Sequence, residues 1–317
     1  MSSGNSDWKR STLDLSRVFF KMKQSAEEEL REYIATLPKT GYVDEVLIDK
    51  SKLTNTIIEV EQFRREVDEG QKFVVLESIN GFGPIETELF HWIISLLLGE
   101  TIVQNDEGRH LIHIFDRDPT KKIKDGARYH QTHESGAIHT DNVNIPENYQ
   151  YLLVGCVMPA KIGGENIIVS GRAVYDYLNT HAREELEILK RNFVFEYRGI
   201  SRELYEAPII TFNEQGEPLF RHLRTYMESA HTRAQRPLSA DQVRALDTLD
   251  ATLHMSDFQL LYRLKPGQIL IANDSQILHD RRCFVDAKDT TTLDDYKKNP
   301  NESLKLKRTL LRTWVRK

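Results

Sequence analysis

Apolar residues recur at helical spacing in the first third of the chain and in short strand-like runs in the rest. Leu30, Tyr33, Ile34 and Leu37 follow Ser25-Ala26-Glu27-Glu28, whose serine and glutamate have capping-box spacing, so a helix is expected to start there. Leu53 to Val67 reads as a second helix stopped by Gly70, and Lys72 to Leu76 as a buried strand. Glu86 to Leu98, with Leu89, Phe90, Trp92, Ile93, Leu96 and Leu97 ahead of Gly99, is an apolar third helix suited to a sheet face. Ile79-Asn80-Gly81-Phe82-Gly83, followed by Pro84, lacks the third glycine of a dinucleotide loop and reads as a turn.

From about residue 110 the runs shorten: His110 to Phe115, Tyr151 to Met158, Ile167 to Ser170, Asn192 to Tyr197, Pro208 to Phe212 and Leu219 to Leu223. Phe258 to Leu264 and Gln268 to Ile271 flank Lys265-Pro266-Gly267, a tight-turn signal that predicts a hairpin. Many short strands with turn signals favour a sandwich or barrel over a βαβ sheet. Helical inserts are expected at Arg172 to Lys190 and at Ser239 to Met255, the latter with a Ser239…Gln242 capping box. Residues 1 to 15 are polar and expected to be mobile. Asp286 to Ser303 reads as a solvated loop, and residues 16 to 317 as one domain.

Composition narrows the function. The 317 residues are 39% hydrophobic, enough to bury a large core, and 43 basic against 48 acidic residues leave no basic field for nucleic acid. No apolar run reaches the roughly 18 residues of a membrane span, and no signal-peptide core follows Met1, so a cytoplasmic protein is expected. Cys156 and Cys283 are the two cysteines, both expected to be reduced, buried and without a disulfide role.

The candidate chemistry lies in His139-Thr140-Asp141 and in His279, 140 residues after the first histidine. On an extended segment residues two apart point the same way, so His139 and Asp141 can reach one metal ion. His279 ends the run that begins at Gln268, a strand and short turn able to return an imidazole to that pair. Two imidazoles and one carboxylate on one face of a metal are the donor set of non-haem Fe(II) oxygenases. By itself a His-x-Asp is weak evidence in a chain with 11 histidines.

Further parts stand in order around this set. Gly163-Gly164-Glu165-Asn166 opens the apolar run Ile167-Ile168-Val169, and Lys307-Arg308-Thr309-Leu310-Leu311-Arg312-Thr313-Trp314 follows His279 as a strand-like segment whose two arginines share a face. From about Phe73 to the C-terminus this order resembles the taurine dioxygenase, clavaminate synthase and gamma-butyrobetaine hydroxylase superfamily of Fe(II)/2-oxoglutarate oxygenases. The resemblance implies a mainly β fold with helical additions, a double-stranded β-helix or cupin-like jelly roll. It implies oxidation, chiefly hydroxylation, of a small polar amino-acid-like metabolite, as in natural-product biosynthesis, with O2 and 2-oxoglutarate as co-substrates and release of succinate and CO2.

In that family His139, Asp141 and His279 would hold Fe(II), and Arg308 would pair two-pronged with the distal carboxylate of 2-oxoglutarate. Arg312 would meet a further 2-oxoglutarate oxygen or an anionic substrate group. Family members commonly carry threonine where this chain has Asn166, whose amide can donate a similar bond. Asp141 stands where related halogenases have a small residue, which points to oxidation without halide. Around the triad, His130 and His133 are expected at the pocket rim, and Glu134, Asn142 and Asn144 as substrate contacts. His222 and His231 read as ordinary surface or core histidines. Two rival readings are a jelly-roll protein that binds metal without turnover, and an HD-type phosphohydrolase suggested by the adjacent His279-Asp280.

Overall fold

Alternation along the strand Thr309–Arg316 divides its side chains between two apolar layers, Leu311 and Val315 on one face and Leu310 and Trp314 on the other. Phe73–Leu76, Tyr151–Met158 and Ile269–Asn273 divide theirs in the same way. These four strands are the middle of a seven-stranded sheet that runs Phe19–Phe20, Phe73–Leu76, Ile269–Asn273, Tyr151–Met158, Thr309–Arg316, with Glu100–Thr101 and Leu111–Ile114 both paired to the last. The computed structural model describes residues 6–118, 120, 131–144, 149–197, 203–299 and 305–317, apart from the side chains of Asn142 and Asn144.

A smaller antiparallel sheet, Leu260–Tyr262, Asn166–Ser170 and Ile277–Arg281, faces the large one. Ile168, Leu260, Tyr262 and Ile277 from it share one cluster with Leu152, Val154, Leu270 and Trp314, so this layer lies between the sheets. Helices Gln24–Ala35, Thr54–Glu69 and Pro84–Leu98 cover the outer face of the large sheet. Gly171–His181, Arg183–Leu189, Arg224–Arg233 and Ala240–Leu253 cover that of the small one. Among the described residues more lie in α-helices than in strands, while the sheets form the centre.

The helix Pro84–Leu98 shows how tightly the layers meet. Proline at its first position suits a φ already helical, and Glu86 accepts the Gly83 N–H at 3.2 Å. On its inner side His91 fits over Gly155 of the central strand, where an added Cβ would stand 2.4 Å from the imidazole Nδ1. Its Nε2 is 3.1 Å from Thr313 Oγ1. Complete burial pushes the His91 pKa down to about 3, so the ring is neutral in the folded protein.

Several sequence expectations meet a different structure. The first helix begins at Gln24, capped by no side chain, so the Ser25 box is not used. Instead Glu29 accepts the Asn55 and Thr56 backbone N–H groups at 3.0 and 2.8 Å, capping the next helix from outside. The Lys265-Pro266-Gly267 turn makes no hairpin: Leu260–Tyr262 pairs in the small sheet and Ile269–Asn273 in the large one, so the turn carries the chain across the sandwich. The insert at 172 to 190 is two helices broken at Ala182. The capping box at Ser239 is present as expected.

Two segments expected to be solvated or mobile are packed. Within 286 to 303, Leu293–Lys298 is a short helix capped by Thr292, with Leu293 buried, and Lys297 forms an ion pair with the buried Glu88, which also lies 2.6 Å from His113 Nε2. From Ser6 onward the N-terminal segment is held to the fold: Trp8 is 2% exposed, packs on Phe73 and donates to the Gln71 carbonyl at 2.9 Å. A large indole supplies the apolar area that a polar composition hides.

Gly155→Ala forces a methyl into the His91 ring, and a loss of about 1–3 kcal/mol in urea-denaturation stability is expected from overpacking. His91 also makes stability pH-dependent, because its folded pKa lies below the unfolded value. The unfolded chain takes up a proton below about 6.5 that the folded chain refuses, so stability present above that pH is lost as it falls. Between pH 7.5 and 5.5 this group alone should cost about 1.4 kcal/mol, read as the difference between the parent protein and His91→Asn.

Candidate metal centre

His139 and His279 face each other as an antiparallel pair at the mouth of the sandwich. The His139 N–H donates to the His279 carbonyl at 2.9 Å and the His279 N–H returns the bond at 2.8 Å. Directly opposed residues send their side chains to the same face, and the two rings lie 4.5 Å apart. Asp141, two residues beyond His139, opens the 3-10 turn Asp141–Asn144 and brings Oδ1 to 3.3 Å from His139 Nε2 and 3.7 Å from His279 Nε2. Donors bound about 2.1 Å from one ion stand about 3.0 Å apart at right angles and about 3.4 Å at tetrahedral angles, so the 3.3 Å pair already has the spacing of two ligands of one ion and the 3.7 Å pair is slightly wider. Among the described residues this is the one such group of three potential ligands.

The electrostatics favour a divalent cation. His139 Nδ1 lies 2.7 Å from the Ala137 carbonyl, which places its proton there and leaves the Nε2 lone pair facing Asp141. Burial depresses the His139 pKa, but the Asp141 carboxylate outweighs it and the net shift is upward. For Asp141 burial acts upward, and Arg312 with the two imidazoles overcomes it, holding the carboxyl well below the usual range. Asp274 lies just behind, where burial and the Asp141 charge push its pKa up to about 6.

The two oxygens of Asp141 have separate tasks. Oδ1 faces the imidazoles, whereas Oδ2 accepts from Arg312 Nη1 at 3.0 Å and from Trp314 Nε1 at 2.9 Å. Arg312 and Trp314 are two apart on Thr309–Arg316, so strand periodicity delivers both to one carboxylate oxygen. Arg312 also bonds Gln104 Oε1 at 2.8 Å and lies over the Trp314 ring, which stacks on Tyr149 at 5.0 Å. Arg312 is expected from the sequence to meet a co-substrate or substrate group; in the fold its described polar contacts are to Asp141 and Gln104. Its guanidinium is directed at Asp141.

Arg308 precedes the same strand and is 2% exposed, with its guanidinium 4.5 Å above the Phe284 ring. Arg281 lies 4.8 Å from that ring, so Phe284 meets two cations. Gly163 and Gly164 both have positive φ, at 72° and 76°, and pass beneath this group. A Cβ on Gly163 would stand 2.3 Å from the Cys283 carbonyl, so space and conformation both exclude a side chain there, whereas at Gly164 the positive φ alone disfavours one. Asn166 lies in the strand that follows and donates from its amide to the Tyr262 carbonyl at 3.3 Å.

The remaining candidates divide. Glu134 is half-buried in the turn before Ile138, with its backbone carbonyl accepting from Arg281. His133 bonds Asp116 at 3.0 Å, His130 and the side chains of Asn142 and Asn144 lie outside the described residues, and His222 is a buried histidine bonded to Asp250 at 3.2 Å. Cys156 is buried as expected and its thiol is pushed up to about 12 by burial, but Cys283 is exposed. Asp280 points away from His279, as adjacent strand residues do, and accepts from Ser135, which removes the pair needed by an HD-type phosphohydrolase. Sequence reasoning missed Gln104, Asp274, Phe284 and the role of Trp314. Only Trp314 had a readable signal, its two-residue spacing from Arg312.

The chain is similar to known proteins in sequence and in fold. The family model described as taurine catabolism dioxygenase TauD, TfdA family, matches residues 40–296. The chain belongs to this dioxygenase family. Arg308 and Arg312 lie beyond the matched residues. The chain is 24% identical over 298 residues to FR-33289 synthase of Streptomyces rubellomurinus, covering 92% of this chain and 86% of that protein. It is 26% identical over 240 residues to a taurine hydroxylase-like protein of Stachybotrys chartarum, covering 72% of this chain and 60% of that one.

Solved structures with a similar fold include asparagine oxygenase in complex with Fe(II), hydroxyasparagine and succinate, with a TM-score of 0.62 at 16% identity over 94% of this chain and 93% of that one. The non-haem iron oxygenase OrfP in complex with Fe and alpha-ketoglutaric acid follows with a TM-score of 0.61 at 15% identity over 94% of each chain. Among the described residues of this family member, no helix is long and apolar enough to cross a membrane.

Trp314→Phe removes one of the two donors on Asp141 Oδ2 and keeps an aromatic ring against Tyr149. Loss of a bond behind a ligand typically weakens metal binding about 10- to 100-fold, and titration of the full chain with Fe(II) should show a loss in that range without change in far-UV circular dichroism.

Proposed function

We propose that this dioxygenase is Fe(II)/2-oxoglutarate-dependent and hydroxylates a small polar metabolite of the amino-acid class, releasing succinate and CO2. The observation that carries this reading is the reciprocal backbone pairing of His139 and His279 with Asp141 Oδ1 between them, two neutral donors and one charge at a sandwich mouth. His139, Asp141 and His279 would hold Fe(II), which with 2-oxoglutarate supplies oxidation of a C–H bond by O2. The two facing sheets with this site between them fit a double-stranded β-helix.

The chain's own residues bind, orient and shield. Arg308 would take the distal carboxylate of 2-oxoglutarate; it lies over the Phe284 ring, and a guanidinium fork fixes direction as well as charge. The Asn166 amide lies on the small sheet's inner face, the same face as Ile168, and would support the co-substrate. The Tyr149–Trp314 stack keeps water from the far side of Asp141. Retention of the carboxylate at Asp141 supports hydroxylation over halogenation. Substrate contacts are assigned to Glu134, Asn142 and Asn144 near the triad. An amino-acid-like substrate is supported by the hydroxylated asparagine and arginine in complex with the fold neighbours.

Incubation with Fe(II), 2-oxoglutarate, O2 and a panel of amino acids should yield succinate and a product heavier by one oxygen, read by mass spectrometry. Arg308→Lys keeps the charge but loses the fork. It should raise the 2-oxoglutarate requirement about 10- to 100-fold while Fe(II) affinity stays at the parent value. Unchanged 2-oxoglutarate affinity in that variant, or iron binding with no 2-oxoglutarate consumption by the parent protein, would overturn the reading.

A further inference from the structure

The two imidazoles of the centre are supported unequally. His139 Nδ1 lies 2.7 Å from the Ala137 carbonyl, which fixes that ring. His279 Nδ1 is buried and has no hydrogen-bond partner among the described residues. At 4.0 Å from it stands Oδ1 of Asp274, a carboxylate with no solvent exposure. The same Oδ1 accepts the backbone N–H of Asp141 at 3.0 Å. Asp274 itself is held by its backbone N–H, which donates to the Gln150 carbonyl at 3.0 Å in the turn between Ile269–Asn273 and Ile277–Arg281.

We propose that Asp274 is the positioning residue of this centre, accepting the Nδ1 proton of His279 so that Nε2 is aimed at the shared ion, and anchoring the backbone of Asp141. The inference rests on the metal reading above. A histidine that ligates through Nε2 carries its proton on Nδ1, and a buried donor of that kind requires an acceptor. Rotation of the imidazole about its Cβ–Cγ bond together with a turn of the Asp274 carboxylate closes the 4.0 Å gap to hydrogen-bond range, and a carboxylate acceptor raises ligand basicity. One oxygen thereby fixes two of the three ligands, one through its ring and one through its main chain. A purely structural carboxylate would explain the bond to Asp141 but not the placement of Oδ1 toward the ring edge that must keep its proton.

The test uses the full chain loaded with Co(II), whose paramagnetism shifts the exchangeable imidazole protons of its ligands out of the protein envelope in proton NMR. The parent protein should show two such N–H signals, one from each histidine. Asp274→Leu should lose one of them to solvent exchange and bind Co(II) and Fe(II) about 10- to 100-fold more weakly, while Asp274→Asn, which keeps an oxygen acceptor, should recover both signals and most of the affinity. Both signals and parental affinity in a folded Asp274→Leu would overturn the inference. Should Asp274→Leu fail to fold, Asp274→Asn decides: the change from carboxylate to amide must displace one shifted signal and leave the other in place, and two unmoved signals would overturn it. A parent protein that binds neither metal would instead remove the metal reading itself, and this inference with it.

Discussion

The two backbone bonds between His139 and His279 are the constraint on which the site depends. They fix the register of a segment that has no other ladder pairing among the described residues against the middle of the strand Ile277–Arg281, and register decides the face: a slip of one residue would turn an imidazole away from its partner. With the pair in register, the 3-10 turn that opens at Asp141 carries its carboxylate to both imidazoles, and the donors converge. The rest of the sandwich serves to hold that register. The His279 strand is ladder-paired to Asn166–Ser170, and the far side of the His139 segment is tied by reciprocal bonds between Thr140 and His222.

One strand does much of the electrostatic work. Thr309–Arg316 gives Leu311 and Val315 to the helical layer, while its other face carries Leu310, Arg312 and Trp314 inward. Because that face meets the Asp141 carboxylate, the half-buried charge of Arg312 balances the buried charge of Asp141. The buried Arg308 just before this strand lies over the Phe284 ring, which Arg281 also approaches. Glycines at 163 and 164 adjoin this group, and their left-handed backbone conformation explains why two consecutive glycines stand there.

What could be read in the chain follows the range of the forces involved. Tyr151–Met158, Thr54–Glu69 and Ala240–Leu253 were legible because apolar spacing and caps are local signals, and the His-x-Asp pair because strand period is local too. Partner choice is not local. The turn at Lys265-Pro266-Gly267 predicted a hairpin, but the strands on either side find their partners in different sheets. Arg312 was placed on the correct face, yet the sequence holds no sign of which carboxylate stands opposite. Asp274 read as an ordinary turn residue, since only the folded chain brings it behind His279. Trp8 was hidden by the polar residues around it.

The distance along the chain between the paired histidines has a consequence for the order in which the molecule assembles. Segments near His139 can form alone, but the bridge to His279 closes a loop of about 140 residues, and such closure is entropically late unless intervening strands have already paired. Before that closure the chain offers only the local His139 and Asp141 donors, a two-toothed chelate. After it the site is three-toothed. The complete donor set therefore depends on a long-range closure, and a chain whose two sheets have not met would retain most of its helices while lacking the geometry that distinguishes this centre.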